Sequence, residues 1–205
     1  MRFETSVFVN CPFDDAYSPL LRPILFVIVD LGLTPRIALE TLNSGRPRFE
    51  KIVSLIDSSK YAIHDLSRIR AAEAGEYYRL NMPFELGLDV GCSLFKPGRW
   101  SEKRCLVLEA EQYRYQAALS DISNSDIASH GNEPIRALTE VRNWLNMEAR
   151  LRASGAAAIW ARFTDFMTQN YDVLTDRGYS PRDIERLPVA EMIDDMQRWV
   201  RDYPP

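Results

Sequence analysis

The chain of 205 residues contains only two histidines and three cysteines. His64 and His130 are too few for a histidine-rich metal centre. The three cysteines (Cys11, Cys92 and Cys105) are odd in number and widely spaced, so they match neither a disulfide framework nor a zinc-binding pattern. We therefore expect no metal site, and a reducing, cytoplasmic location is the simplest expectation for such a chain.

The sequence also lacks an excess of positive charge and an uninterrupted apolar run. Its formal net charge is −4, which argues against nucleic acid as a partner. The longest apolar stretch, residues 20–33, is broken by Arg22, Pro23 and Asp30, so no membrane span is expected. The first ten residues become polar too quickly for a signal peptide.

Several well-known sequence motifs are missing as well. No G-x-G-x-x-G or Walker sequence occurs, which argues against Rossmann-type dinucleotide binding and P-loop phosphate binding. No G-x-S-x-G sequence occurs, which argues against a serine hydrolase of the α/β type.

The sequence does contain short apolar runs that alternate with longer stretches of helical periodicity. Five runs predict strands: residues 6–10, 34–39, 61–64, 104–110 and a shorter one around 126–131. Helices are expected between them, because apolar residues recur there at intervals of three and four. This alternation predicts an α/β fold, a flavodoxin-like five-stranded parallel sheet with helices on both faces.

The strand signals stop at about residue 149, and the remainder has helical periodicity only. The expected organisation is an α/β domain over residues 1–148 and a helical C-terminal extension over residues 149–205. This extension is expected to pack on the sheet domain or on a partner chain.

Polar residues follow the predicted strands at the edge of the sheet where ligands bind in open α/β folds. Candidates for binding a substrate are Asn10, Phe13, Asp14, Arg46, Arg48, Ser67 and Asn81. Candidates for catalysis are Asp65, directly after the third strand, and Glu85, in the helix that leads to the fourth.

Glu85 has two interpretations. With Pro83 at the first helical position, Glu85 falls in the first turn, where the helix dipole favours an acid by roughly 0.3–1 kcal/mol. In the functional interpretation, the dipole keeps the carboxylate ionised and apolar neighbours shield it, so that it stabilises or attacks an oxocarbenium-like sugar. Gly87 and Gly91 on the same helix predict a close approach by a backbone or a ligand.

The other candidates also have alternatives. Asp65 is either a turn-forming cap or a second carboxylate that orients hydroxyl groups or transfers a proton. Arg46 and Arg48 either belong to a solvated loop or bind a phosphate bidentately. His64 is expected to be a half-buried strand residue, and His130 to belong to a loop.

The order of the segments NCPFD, HDLSR, NMPFELGLDVG and RCLVLE resembles the TIR-like and nucleoside 2-deoxyribosyltransferase-like group of flavodoxin-type folds. The resemblance covers roughly residues 5–146. In both branches a glutamate on the corresponding helix is the key catalytic residue, and Glu85 matches it. Asp65 matches an acidic residue that recurs in the deoxyribosyltransferases.

The resemblance implies an enzyme that acts on an N-glycosidic bond. The first hypothesis is a TIR-like hydrolase that cleaves NAD as a substrate, without any cofactor, often in bacterial antiviral defence. Glu85 is then the catalytic carboxylate, Asp65 and Asn81 orient the ribose or support Glu85, and Phe13 faces the base. Arg46 or Arg48 contacts the phosphates. The resemblance also implies a homo-oligomer.

Two further hypotheses stay open. The second is a nucleoside 2-deoxyribosyltransferase or a nucleoside hydrolase that ignores NAD, although a neutral nucleoside does not require the arginine-bearing loop. The third is a non-catalytic nucleotide sensor or an assembly module.

Overall fold

The computed structural model describes residues 2–41, 43–45, 47–69, 80–112, 114–117, 119–120 and 127–205. Its strands are β1 (Ser6–Asn10), β2 (Thr34–Ile37), β3 (Tyr61–Asp65), β4 (Arg104–Glu109) and β5 (Ile127–Ser129). They form one parallel sheet in the order β2-β1-β3-β4-β5. The predicted flavodoxin-like five-stranded α/β fold is therefore confirmed.

Helices connect the strands and continue after the last one. They are α1 (Ser18–Asp30), α2 (Arg48–Asp57), α3 (Asn81–Phe95), α4 (Pro134–Glu148), α5 (Ala156–Asp176), α6 (Pro181–Glu185) and α7 (Val189–Asp202). Short 3-10 turns cover Phe3–Thr5, Gly98–Glu102 and Arg114–Ala117. In the described part of the chain, residues 149–205 contain helices and no strand, as the sequence predicts.

The two faces of the sheet are covered by different helices. Val7 and Val9 of β1 point into a core shared with α1, α4, α5 and α7. Phe8, between them, points into a second core shared with α2. Alternate side chains of a strand lie on opposite faces, so a strand that is covered on both faces is apolar throughout.

Helix α1 is apolar on almost all sides because it is covered from two directions. The sheet lies on one side, and the C-terminal helices lie on the other. The ring of Phe26 lies 5.5 Å from those of Phe163 and Phe166 and 5.9 Å from that of Trp199, measured between centroids. The C-terminal extension is therefore part of the main hydrophobic core.

The carboxyl ends of the central strands meet at one edge of the sheet. The parallel register places Asn10 beside His64, and Asp65 beside Leu108. Since α3 packs against β3 and β1, its first turns lie close to the same edge. This geometry brings Glu85 towards the residues that follow β1 and β3.

Candidate functional site

Glu85 lies further along its helix than the sequence indicates. Helix α3 begins at Asn81, and no acidic residue lies in its first turn. The expectation that the helix dipole keeps Glu85 ionised is therefore wrong. The side chain lies on the inner face of the helix and is only 8% exposed.

Burial governs the protonation of Glu85. Removal from water raises the pKa of its carboxyl group to about 7, and the positive charge of Arg48 opposes this rise. A carboxylic acid with this pKa is present in both forms near neutral pH, which suits proton transfer.

A cleft of about 420 Å³ lies beside the first turn of α3. Its wall contains Phe13 from the β1–α1 loop, Arg48 from the start of α2, and Asn81 and Met82 from the start of α3. The guanidinium carbon of Arg48 lies 5.8 Å from the centre of the Phe13 ring. The structure thus brings together three predicted binding residues, Phe13, Arg48 and Asn81.

Cys11 also lines this cleft, and sequence reasoning gave it no role. Its side chain is buried. Burial raises the pKa of the Cys11 thiol, and the negative charges of Asp65, Glu85 and Asp14 raise it further. The residue therefore presents a neutral thiol rather than a nucleophilic thiolate at neutral pH.

Asp65 is the last residue of β3 and is fully buried. Its carboxylate accepts hydrogen bonds from the Tyr17 hydroxyl at 2.5 Å, from the Ser67 backbone N–H at 2.8 Å and from His130 Nε2 at 3.1 Å. Three donors satisfy a buried charge and hold it in place. Asp65 therefore links the end of β3 to the start of α1 and to the end of β5.

His130 is in the loop after β5, as predicted, but it is fully buried. Its Nδ1 accepts a hydrogen bond from the backbone N–H of Asn132 at 3.0 Å. The ring proton must then reside on Nε2, which donates to Asp65. In the sequence, His130 lies at the end of a predicted strand, and Asp65 directly follows another. Since such residues meet at the same edge of a parallel sheet, this position could have predicted the contact between them.

Asn10 holds the start of α3 against the sheet. Its side-chain Nδ2 donates to the backbone carbonyl of Met82 and to His64 Nδ1, both at 3.0 Å. Both N–H groups of this buried amide are thus used within the protein. Met82 precedes Glu85 by three residues, so this contact helps to set the position of Glu85.

A second buried contact holds α3 one turn after Glu85. His64 Nε2 faces Asp89 Oδ2 at 3.5 Å, and Lys103 Nζ lies 2.9 Å from Asp89 Oδ1. Burial raises the pKa of Asp89, but the hydrogen bond with His64 and the charge of Lys103 outweigh it and hold this pKa below its usual value. His64 is fully buried, so its predicted half-burial is wrong.

The remaining predicted residues lie at the periphery or contribute through their backbone. Asp14 Oδ1 lies 3.5 Å from a guanidinium nitrogen of Arg68. The Ser67 backbone binds Asp65, as described above, and its carbonyl accepts a hydrogen bond from Arg114 at 2.7 Å. Arg46 lies outside the described residues.

The described residues make no close backbone approach to the glycines of α3. A Cβ atom at Gly87 would meet nothing within 4 Å, and one at Gly91 would be in ordinary contact with the Phe95 ring at 3.8 Å. Within the part of the chain that is described, no backbone segment comes close to either glycine.

Among the residues that the structure describes, no group of three or more His, Cys, Asp or Glu side chains is placed to hold a metal ion, and no helix is long and apolar enough to cross a membrane. The candidate site combines an open cleft, whose wall contains Arg48 and Phe13, with the buried carboxyl group of Glu85. Glu85 is not part of that wall, but the charge of Arg48 acts on its carboxyl group. Comparison of the chain with protein-family models, with curated proteins and with solved structures found no match.

Proposed function

We propose that this protein hydrolyses the N-glycosidic bond of a nucleotide, with NAD as the substrate. The observation that carries the proposal is Glu85. Glu85 is buried on α3 behind the cleft wall, its carboxyl group is within electrostatic reach of Arg48 in that wall, and its pKa is raised to about 7. The resemblance of the NMPFELGLDVG segment to TIR-like and deoxyribosyltransferase-like helices supports the same role.

The reaction requires little proton transfer to the leaving group. When the bond between ribose C1′ and the nicotinamide nitrogen breaks, the electron pair passes to the positively charged ring, which leaves as neutral nicotinamide. The oxocarbenium-like sugar gains stabilisation from the Glu85 carboxylate. Water then adds to C1′, Glu85 accepts its proton as a general base, and the proton passes to solvent. The products are nicotinamide, ADP-ribose and one proton.

Other residues of the cleft fit the parts of this substrate. Arg48 is suited to the phosphates, because a guanidinium group pairs with them in a bidentate manner. The Phe13 ring offers a stacking surface for a base, and Asn81 is exposed beside the cleft. Asp65 stabilises the end of β3 through its contacts with Tyr17 and His130.

The test is product analysis by chromatography after incubation with NAD at high protein concentration. We expect wild-type protein to release nicotinamide, and Glu85→Gln to lose at least 100-fold in turnover while it keeps its fold. The matched control is Glu140→Gln on α4, which packs against the opposite face of the sheet and should retain full activity. Nicotinamide release by Glu85→Gln at the wild-type rate would exclude Glu85 as the catalytic group.

The same experiment, extended to NADP, nucleosides and deoxynucleosides, separates the alternatives. Base exchange on deoxynucleosides without action on NAD would assign the protein to the transferase branch. Tight nucleotide binding without turnover would indicate a sensor. The position of Arg48 in the wall of the cleft favours a phosphate-bearing substrate over a neutral nucleoside.

Assembly into a homo-oligomer is part of this proposal. Helices α2 and α3 carry exposed apolar side chains on their outer surfaces: Phe49, Val53, Phe84, Leu94 and Phe95. The rings of Phe49 and Phe84 lie 6.1 Å apart between centroids, and neighbouring exposed apolar side chains are typical of protein interfaces. Light scattering over a concentration series should show self-association, and a monomer at all concentrations would contradict it.

A further inference from the structure

A second cavity, of about 300 Å³, lies on the other side of the β1–α1 loop. We name it the α1–α7 pocket, because the C-terminal helices close it against α1. Its apolar wall is formed by Leu21, Leu25, Leu39, Leu187, Val189 and Met192. This volume is at the lower end of the range for small-molecule sites, whose walls are mostly apolar with a few polar groups.

Phe13 links this pocket to the cleft beside Glu85. Its side chain belongs to the wall of both cavities. A ligand that passes over the β1–α1 loop would therefore extend from one cavity into the other. The cleft holds the proposed reacting end, and the pocket is the adjoining space for another part of the same molecule.

The rim of the pocket carries charges of both signs. Asp14 and Asp15 come from the β1–α1 loop, Arg22 from α1, and Glu185 and Arg186 from the end of α6. A guanidinium nitrogen of Arg22 donates to the backbone carbonyl of Glu185 at 3.0 Å, which fixes α6 against α1. Carboxylates accept hydrogen bonds from the amino group of a purine, and arginines bind phosphate.

We propose that the α1–α7 pocket binds the distal purine nucleotide of a dinucleotide whose reacting end lies at Glu85. This inference rests on the proposed function. A flat, largely apolar ring with a polar edge matches the apolar wall and charged rim of the pocket. The C-terminal extension then acts as the part of the protein that selects a dinucleotide over a mononucleoside.

The experiment measures the binding of AMP by calorimetry. AMP contains the distal nucleotide but lacks the nicotinamide–ribose bond at which the proposed cleavage takes place. In Leu39→Trp and Val189→Trp, a large ring fills the pocket from two different segments, the chain after β2 and the start of α7. Both positions are half-buried, which leaves room for the backbone to stay in place. The matched control is Met147→Trp on α4, where the side chain is 67% exposed.

We expect wild-type protein and Met147→Trp to bind AMP with affinities within a factor of two of each other. Leu39→Trp and Val189→Trp should each bind at least 10-fold more weakly, with unchanged melting temperatures. Equal AMP affinity in all four proteins, or no binding by wild type at millimolar AMP, would overturn the inference.

Photolabelling of wild-type protein with 2-azido-AMP provides a test that does not depend on the folding of any variant. The labelled peptide, identified by mass spectrometry, should contain residues 13–25 or 185–192. Labelling confined to other peptides would contradict the inference.

The two proposals can fail separately. If Leu39→Trp abolishes AMP binding but wild-type protein releases no nicotinamide, the nucleotide-binding role of the pocket is supported and the proposed hydrolase activity is contradicted. If nicotinamide release requires Glu85 but both tryptophan variants bind AMP as tightly as wild type, the hydrolase activity is supported and the nucleotide-binding role of the pocket is contradicted.

Discussion

At the scale of single residues, the environment of Glu85 decides its chemistry. The side chain is removed from water, so its neutral form is favoured, while Arg48 favours the charged form. The same two influences act on any reaction in which the ionised carboxylate takes part. They also act on the stability of the folded protein, since a shifted pKa links protonation to folding.

The pH dependence of catalysis follows from this pKa. If the carboxylate is the active form, kcat/KM for NAD should rise with pH, with a midpoint near pH 7, and level off above it. Arg48→Met should move the midpoint to higher pH, because the charge that lowers the Glu85 pKa is lost. A rate profile measured from pH 5 to 9 checks both. A midpoint that stays in place in Arg48→Met would show that another group titrates.

The pH dependence of stability has the opposite sign. Glu85 has a folded-state pKa of about 7, above its ordinary value of 4.5, so its contribution to stability is complete below about pH 4.5 and is lost as the pH rises through 7. Glu85→Gln removes this loss. Urea denaturation should show the variant gaining roughly 1–3 kcal/mol relative to wild type between pH 5 and pH 8, after allowance for solvent screening. A constant difference across this range would mean that the carboxyl group titrates normally.

At the scale of elements, α3 is held by buried polar contacts on both sides of Glu85. Asn10 binds the carbonyl of Met82, and His64 and Lys103 face Asp89. Lys103 Nζ also donates to the backbone carbonyls of Ile56, at 2.9 Å, and of Ser59. One ammonium group therefore joins the end of α2, the start of β4 and the middle of α3.

Removal of this ammonium group should lower the free energy of unfolding. Lys103→Met leaves Asp89 as a buried charge that has lost its ion-pair partner, which typically costs about 3–5 kcal/mol. Lys103→Met combined with Asp89→Asn should cost less, because no charge is left behind. The control, Lys96→Met, breaks an exposed ion pair with Asp57 and should cost less than about 1 kcal/mol. Thermal or urea unfolding of the three variants decides the matter, and equal losses in Lys103→Met and Lys96→Met would contradict the prediction.

At the scale of the whole molecule, residues 149–205 are integrated with the α/β fold. Helices α5 and α7 cover α1, and Arg162 Nε lies 2.8 Å from Asp30 Oδ1, an acid that interrupts the apolar sequence of α1. Burial raises the pKa of Asp30, while Arg162 opposes that rise. The core therefore extends from the sheet through α1 to the C-terminal helices.

Truncation of one side chain in this shared core should destabilise the whole protein. Phe166 is fully buried against Phe26, so Phe166→Ala should lower the free energy of unfolding by about 3–5 kcal/mol. Val173→Ala on the same helix, where the side chain is 50% exposed, should change it by less than about 0.5 kcal/mol. One cooperative transition in both variants is expected from urea denaturation. A separate early transition in Phe166→Ala would show that the extension unfolds independently.

The periodicity of the sequence was sufficient to predict the elements and the class of fold. Strands and helices are local patterns: a strand covered on both faces must be apolar, and a helix must repeat its apolar residues every three or four positions. The sequence also placed Phe13, Arg48, Asn81 and Glu85 near one edge, because residues that follow parallel strands meet there.

Only the tertiary structure decided the state of these residues. Helix α3 starts at Asn81, so Glu85 lies beyond the first turn. The sequence indicated that the helix dipole would keep Glu85 ionised, but burial instead raises its pKa. His130 joined Asp65 across a separation of 65 residues, and the C-terminal helices closed a pocket beside Phe13. Burial and pairing depend on which distant segments pack together, and no local pattern carries that information.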